Sequence, residues 1–596
     1  MLGSAAMSMS IGRVSIVLWA LVASAACGKP KADQPEQSPP AVTPAIAPPQ
    51  DAPPVSSEGY DQEALGALHF DISGGTPQAR QHFFRGLLAL HSFWYDEATK
   101  EFEAAISTDP TFSMAYWGLA MSKVKMLWGD DDLTAGRDAL KRMPAPDRLP
   151  PHDQAWVMAA VSLFRPGQGD ARTSRNQFLA VMEQLHAQFP DDESSLFLSL
   201  ALLSLVRPND PDEVAVRHRA AGLAMEVFKR NPKHPGAAHY IIHAYDTPDL
   251  APLALPAAQA YAAIAPAAFH ALHMPAHIFA RLGRWKEAAA SCQAAWDASV
   301  AWVRRDKLSP DHQDFHSLTW LIEIDFERGR RKHAEQTMAI FGGAVRGGLT
   351  HEKRAAYANQ VTSFLARTGE WARADELLAP LKAPATDAAA DAPGGSMACG
   401  GHGPLPNGPP TDLFERRAVL GTRVTAAARR GDQALLVRLL AERDAVDAQI
   451  RPFLVSTQPK EFVDSSDQLR VLVRKALIAR ARGDDRALVA ALVPLALDQD
   501  QEFTGEGTAG GILHHEDRAE ALLRLGQAKE ALAEYRLVLA KHSGRARSLL
   551  GAARAAAKLG DGPASRELYQ QLLATWSEAE DGTDGLAEAR TAVAAR

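Results

Sequence analysis

Residues 277–296, "HIFARLGRWKEAAASCQAAW", decide the fold. Gly283 stands between two helix-periodic runs, followed by Trp285 and Ala288. A glycine there can end one helix in the left-handed conformation. A small residue such as Ala288 lets the next helix approach the first closely. Related sets recur at Gly369, Trp371 and Ala374, at Gly526, Ala531 and Tyr535, and at Gly560, Ser565 and Tyr569. Pro232 and Pro266 are 34 residues apart, as are Gly526 and Gly560, and Gly86 and Ala120. Proline just past a helix is tolerated, because it has no N–H to supply to the ladder. No alternating period-2 segment of any length appears, so the chain is predicted to be all-α.

This pattern resembles the tetratricopeptide repeat (TPR), a 34-residue helix–turn–helix unit. Gly283, Trp285 and Ala288 match repeat positions 15, 17 and 20, and Pro232 and Pro266 match position 32. Ala98, Phe102 and Pro110 match positions 20, 24 and 32 of an early unit. The resemblance implies a solenoid, since each hairpin leaves an apolar face that only a neighbour can cover. It covers roughly 75–380 and 412–596, loosely over 127–230. Two arrays are therefore expected, 75–380 and 412–596, separated by the Pro/Gly/Ala-rich linker 381–411. That linker carries Met397, Cys399 and His402, and a flexible connector is a simpler reading than a soft-metal loop.

Histidine is concentrated in one region. Of 20 histidines, eight lie between His234 and His316, where an even spread would put roughly three. In the TPR register His270 and His316 fall at position 2, and His239 and His273 at position 5. His243, His277 and Glu323 fall at position 9, and Asp246 at position 12. The resemblance implies that these first-helix positions line the concave groove. Two imidazoles at i and i+4 share one helix face and can aim at one point. Imidazole with carboxylate suits Zn, Cu, Ni or Fe. His239, His243, His273 and His277 are thus candidates to share one ion, with His270, His316, Glu323 and Asp246 as further candidate ligands. Pro275 is expected to kink or open its helix and re-aim one of its neighbours. Two other readings stand beside metal: recognition of a peptide or acidic ligand, and a purely structural hydrogen-bond network. Met114, Trp117 and Met121 occupy groove positions 2, 5 and 9 of an early unit. They read either as an adaptable apolar pocket for a partner or as core packing. The segment "HPGAAHYIIHAY … HALHMPAHIFARLGRW" resembles one found in large bacterial TPR proteins, a resemblance that supplies no reaction.

The N-terminus reads as a targeting segment. Arg13 precedes the apolar run "VSIVLWALVASAAC", which ends at Cys27 after Ser24, Ala25 and Ala26. It resembles a bacterial lipoprotein signal over 1–27, with Cys27 lipidated. Ser24 stands where that signal usually has Leu, and an ordinary secretory signal is the alternative. Residues 28–57 hold nine prolines and read as an extended tether. Gly28 follows the cysteine, with no Asp there. By analogy with how enteric lipoproteins are sorted, the resemblance then favours a periplasm-facing anchor in the outer membrane over the inner one. The net charge of −7 and the lack of a basic patch argue against a nucleic-acid partner. No phosphate loop, nucleophile elbow, HExxH or CxxC is present. "GEGTAG" at 505–510 has no buried strand before it and reads as a linker. His514 and His515 read as capping or exposed residues.

The expected protein is an envelope-anchored TPR scaffold whose groove takes a protein or peptide and can hold a metal. The alternative is a metal-dependent enzyme using the same histidines, with Glu323 or Asp246 as ligand or general base.

Overall fold

Helical hairpins stack side by side along the chain. The structure, a computed structural model, describes residues 62–128, 131–165, 171–207, 209–386, 411–458, 460–502 and 513–595. The signal, the tether, most of the 381–411 linker and the "GEGTAG" stretch lie outside these residues. The described residues contain helices and no strand. No helix among them is long and apolar enough to cross a membrane.

The first hairpins pair α1 (Pro77–His91) with α2 (Tyr95–Thr108) and α3 (Ser113–Met121) with α4 (Leu133–Lys141). α5 (Pro151–Phe164) pairs with α6 (Ala171–Gln188), and α7 (Asp192–Leu203) with α8 (Glu213–Arg230). The histidine-bearing hairpins follow. α9 (Pro235–Tyr245) packs on α10 (Ala251–Ile264); α11 (Phe269–His273) and α12 (Pro275–Arg281) pack on α13 (Trp285–Asp306); α14 (Phe315–Glu327) packs on α15 (Arg331–Arg346). The turn glycines Gly283, Gly329, Gly369, Gly526 and Gly560 have φ between 68° and 77°, the left-handed geometry expected of them. Pro275 breaks its helix as expected: α11 ends at His273 and α12 begins at Pro275.

The linker interrupts the chain but not the stack. α16 (His351–Thr368) is followed by a short turn of helix, α17 (Ala374–Leu377), and packs directly on α18 (Thr411–Arg429) beyond the linker. Thr422 Oγ1 donates to the carbonyl of Ala358 at 2.9 Å, and Arg354 forms an ion pair with Glu415. The two expected arrays are one stack in space. α19 (Gln433–Thr457), α20 (Lys460–Ala481), α21 (Asp485–Glu502), α22 (His514–Arg524), α23 (Ala528–Lys541), α24 (Ala546–Lys558), α25 (Gly562–Thr575) and α26 (Leu586–Ala594) continue it. These late hairpins return to the turn glycines of the histidine-bearing ones. Trp285 Nε1–H donates to Gly544 O, and Glu580 N–H donates to Gly329 O. His514 and His515 are neither capping nor exposed: His514 begins α22 behind the cap residue Leu513 and is only partly exposed, and His515 is buried and bonded to Glu534 and Asp500.

The core of the first hairpins is aromatic. Trp117 is 1% exposed, against Phe70, Phe83, Trp156 and Phe197. Met114 and Met121 are equally buried. These three residues therefore do not line an open partner pocket; an early helix packed on both sides has no free face there. Helices approach closely at Gly118, where an added Cβ would overlap the Phe102 ring. Gly118→Ala should destabilise by about 1–3 kcal/mol through overpacking. Unchanged denaturant unfolding would show that the ring yields freely.

Candidate metal centre

The expected groove is filled by the chain itself. The tip of the first hairpin, Ser92–Trp94, inserts against α9 and α11. Phe93 sits at φ 52°, a conformation that costs a bulky residue energy. Its ring lies 4.4 Å from His239, 5.5 Å from His243 and 5.7 Å from His270, centroid to centroid. The neighbouring Trp94 ring lies edge-on to Trp302, 5.5 Å away. His239 and His243 are consequently buried; His273 and His277 are buried too, beneath Trp320, and His239 and His273 are fully inaccessible.

The histidines divide into two triads rather than one four-histidine site. In the first, His239 Nε2 lies 2.9 Å from His243 Nε2 and 3.1 Å from His270 Nε2. In the second, His273 Nε2 lies 3.0 Å from His277 Nε2, and His316 completes the group. The helix break at Pro275 separates His273 from His277, yet the two rings still meet at 4.9 Å. Trp320 closes over the second triad, 4.5 Å from His277 and 5.0 Å from His273. His316 is only partly buried and forms the solvent-facing side.

The Nδ1 atoms of His239, His273 and His277 are held by partners that accept hydrogen bonds. His239 Nδ1–H donates to the His91 carbonyl at 2.7 Å. His277 Nδ1–H donates to Asp246 at 2.8 Å, and Arg281 Nε–H donates to the other Asp246 oxygen at 2.9 Å. Ser317 Oγ–H donates to Asp314, so Ser317 accepts the Nδ1–H of His273 at 2.9 Å. Burial, and then the neighbouring imidazoles, push His239 and His273 well below the ordinary histidine range, so both rings are neutral. A neutral imidazole with Nδ1 protonated presents a lone pair at Nε2. Burial would raise Asp246, but Arg281 and His277 hold it well below the ordinary carboxylate range.

Asp246 is thus a support behind His277, not a ligand facing the imidazole Nε2 atoms. Glu323 is elsewhere still: it accepts from Gln360 at 2.8 Å and from Ser363, and pairs with Arg367. The carboxylate expected to join the cluster is drawn to the next hairpin, where hydroxyl, amide and guanidinium donors satisfy it. Neither residue is placed to act as a general base at the histidines.

A third cluster escaped the sequence reading. His91 Nε2 and His234 Nε2 bond separate oxygens of Glu193 at 2.8 and 2.9 Å, and all three residues are buried. Burial would raise Glu193, but the two histidines lower it to about 2. Tyr240 reaches His91 Nδ1 at 3.0 Å. The cluster fixes His91, whose carbonyl orients His239, in the manner of an outer support around ligands. His91 falls at repeat position 13, a groove position, so the register could have found it; nothing in sequence pairs it with Glu193.

No family model matches the chain, and no curated protein matches it. Among solved structures it is similar to a tetratricopeptide repeat protein from Parabacteroides merdae ATCC 43184. That match has 13% identity and a TM-score of 0.27, covering 55% of this chain and 98% of that one. It is also similar to yeast Tom70, at 11% identity and a TM-score of 0.26, covering 86% and 94%. The Cut9 and Hcn1 assembly of APC/C matches at 9% identity and a TM-score of 0.23, covering 87% and 96%. Overlaps this loose carry no reading of function.

Proposed function

We propose that this helical-repeat protein binds transition-metal ions through its buried histidine triads and is held at the cell envelope by a lipid on Cys27. One observation carries the metal reading. His273 and His277 each commit Nδ1 to an accepting partner, while their Nε2 atoms face each other at 3.0 Å. Nitrogens that close are held together by a metal ion bound beside both or by a proton shared between them, and chelator separates the two cases. Zn, Cu, Ni and Fe suit such donors. The outer supports have the form that fixes ring orientation in metal sites: carbonyl, carboxylate and hydroxyl behind the imidazole. Peptide recognition in this part of the groove loses its footing, because Phe93 and Trp94 already occupy it. A partner protein would have to use another face of the stack.

Elemental analysis of full-length protein, purified without chelator or affinity histidines, should find at least one such ion per chain. Substoichiometric metal, with melting indifferent to chelator, would leave a structural imidazole network as the better account.

The envelope reading rests on the sequence around Cys27 and the proline-rich tether. An acyl-bearing residue at the mature end holds a chain to a bilayer. Cys27→Ser should move the protein from the membrane fraction to the soluble one. Wild-type protein already soluble after fractionation would overturn it.

A further inference from the structure

Behind the second triad a short relay runs from Asp314 through Ser317 to His273. Asp314 caps α14: one carboxylate oxygen accepts the backbone N–H of Ser317 at 3.1 Å, and the other accepts the Ser317 hydroxyl. Ser317 Oγ lies 2.9 Å from His273 Nδ1. The other group near that nitrogen is the buried Cys292 thiol, at 3.7 Å. Asp314 is 6% exposed, and Ser317 and His273 are fully buried. The same first turn of α14 carries His316, so one capped turn supplies a member of the triad and the relay that orients another.

A hydroxyl has one proton to give. An ionised carboxylate only accepts, so Ser317 gives its proton to Asp314 and must accept from His273. That keeps the ring proton on Nδ1 and leaves the lone pair on Nε2, beside His277 Nε2. Burial raises Asp314, and the hydrogen bonds from Ser317 and the nearby Lys353 act against it.

An amide at 314 would reverse the relay. Its oxygen would keep the cap, because the backbone N–H of Ser317 needs an acceptor. Its NH2 would then face Ser317 and donate to Oγ. Ser317 would turn its own proton to His273 Nδ1, and the ring proton would move to Nε2. There it would bond His277 Nε2, closing the pair with a proton instead of an ion. A proton resting on Asp314 would act like the amide.

We propose that Asp314 is a positioning residue: acting through Ser317, it holds His273 in the tautomer that can take a metal ion. This rests on the metal reading above and deepens it.

The ring proton can be located in metal-stripped full-length protein carrying ¹⁵N-labelled histidine, where the His273 signals are those lost in His273→Gln. Wild type should carry the proton on Nδ1, and Asp314→Asn on Nε2. In titration with Zn(II) against a coloured competing chelator, Asp314→Asn should bind one ion about 10- to 100-fold more weakly than wild type. The melting temperature of the stripped protein should not change, because Asn caps a helix about as well as Asp. A purely structural cap predicts another pattern: Asp314→Ala loses stability and zinc together, and Asp314→Asn keeps both. That pattern would overturn the proposal. So would a wild-type His273 with its proton on Nε2, a result that stands even if a variant fails to fold. No zinc uptake by wild type would overturn the metal reading, and the ring proton would then still show whether Asp314 sets the tautomer.

Discussion

Stripped wild-type protein will melt earlier than metal-loaded protein, and a His239→Ala/His277→Ala variant will melt at one temperature with or without chelator. His239 is the hub of the first triad, in contact with both His243 and His270, and His277 closes the second. Binding to the folded state alone adds about 2.7 kcal/mol per site when free metal is 100-fold above its dissociation constant. Two loaded sites would add roughly twice that, because each triad has its own ligands. Each single substitution should leave a chelator-sensitive remainder from the other triad, and the double variant none. A four-histidine site would behave differently, with the first substitution abolishing nearly everything. A structural network would behave differently again: every substitution would destabilise, and chelator would do nothing. That last pattern would sink the metal reading.

Much of this architecture was legible in sequence. The turn glycines announced their left-handed φ through the 34-residue spacing, and Pro275 announced the break between His273 and His277. The register also placed all six candidate histidines on one face of consecutive first helices. It could not say what that face meets. Closure of a solenoid is the sum of small rotations at each hairpin interface, and no local pattern records the sum. So the insertion of Phe93 beside His239 was invisible, as was the role of His91 behind it. The same gap explains Met114, Trp117 and Met121: their positions were read correctly, but a face open in one superhelix is packed in another. Glu323 was placed on the expected face and lost to Gln360, Ser363 and Arg367, donors from α16 that sequence spacing does not bring near. The composition of the linker hid the direct packing of α16 on α18.

The return of the C-terminal hairpins offers the second large effect. Arg545 is 1% exposed and grips Glu516 through two nitrogens at 2.7 and 2.9 Å. It also reaches Glu327 at the end of α14, whose other oxygen accepts the backbone N–H of Ala546 at 2.6 Å. Arg545→Met should therefore destabilise by about 3–5 kcal/mol, because it strands a buried carboxylate. Arg545→Met/Glu516→Leu should recover most of the loss, since an apolar pair of similar volume removes the stranded charge. Equal instability in the single and double variants would show that packing, not charge, sets the cost. His542 adds a pH dependence to the same junction. Burial, then the cations Arg545 and Arg281, push it down to about 3. A histidine depressed in the folded state favours folding above its ordinary value of roughly 6.5 and loses that contribution as pH falls toward the folded one. Two pH units below the ordinary value, the loss reaches about 2.7 kcal/mol. His542→Gln carries no proton to gain, so its stability should fall less steeply than wild type between neutral pH and about pH 4. Parallel curves for the two proteins would show that His542 takes up its proton in the folded junction at no cost.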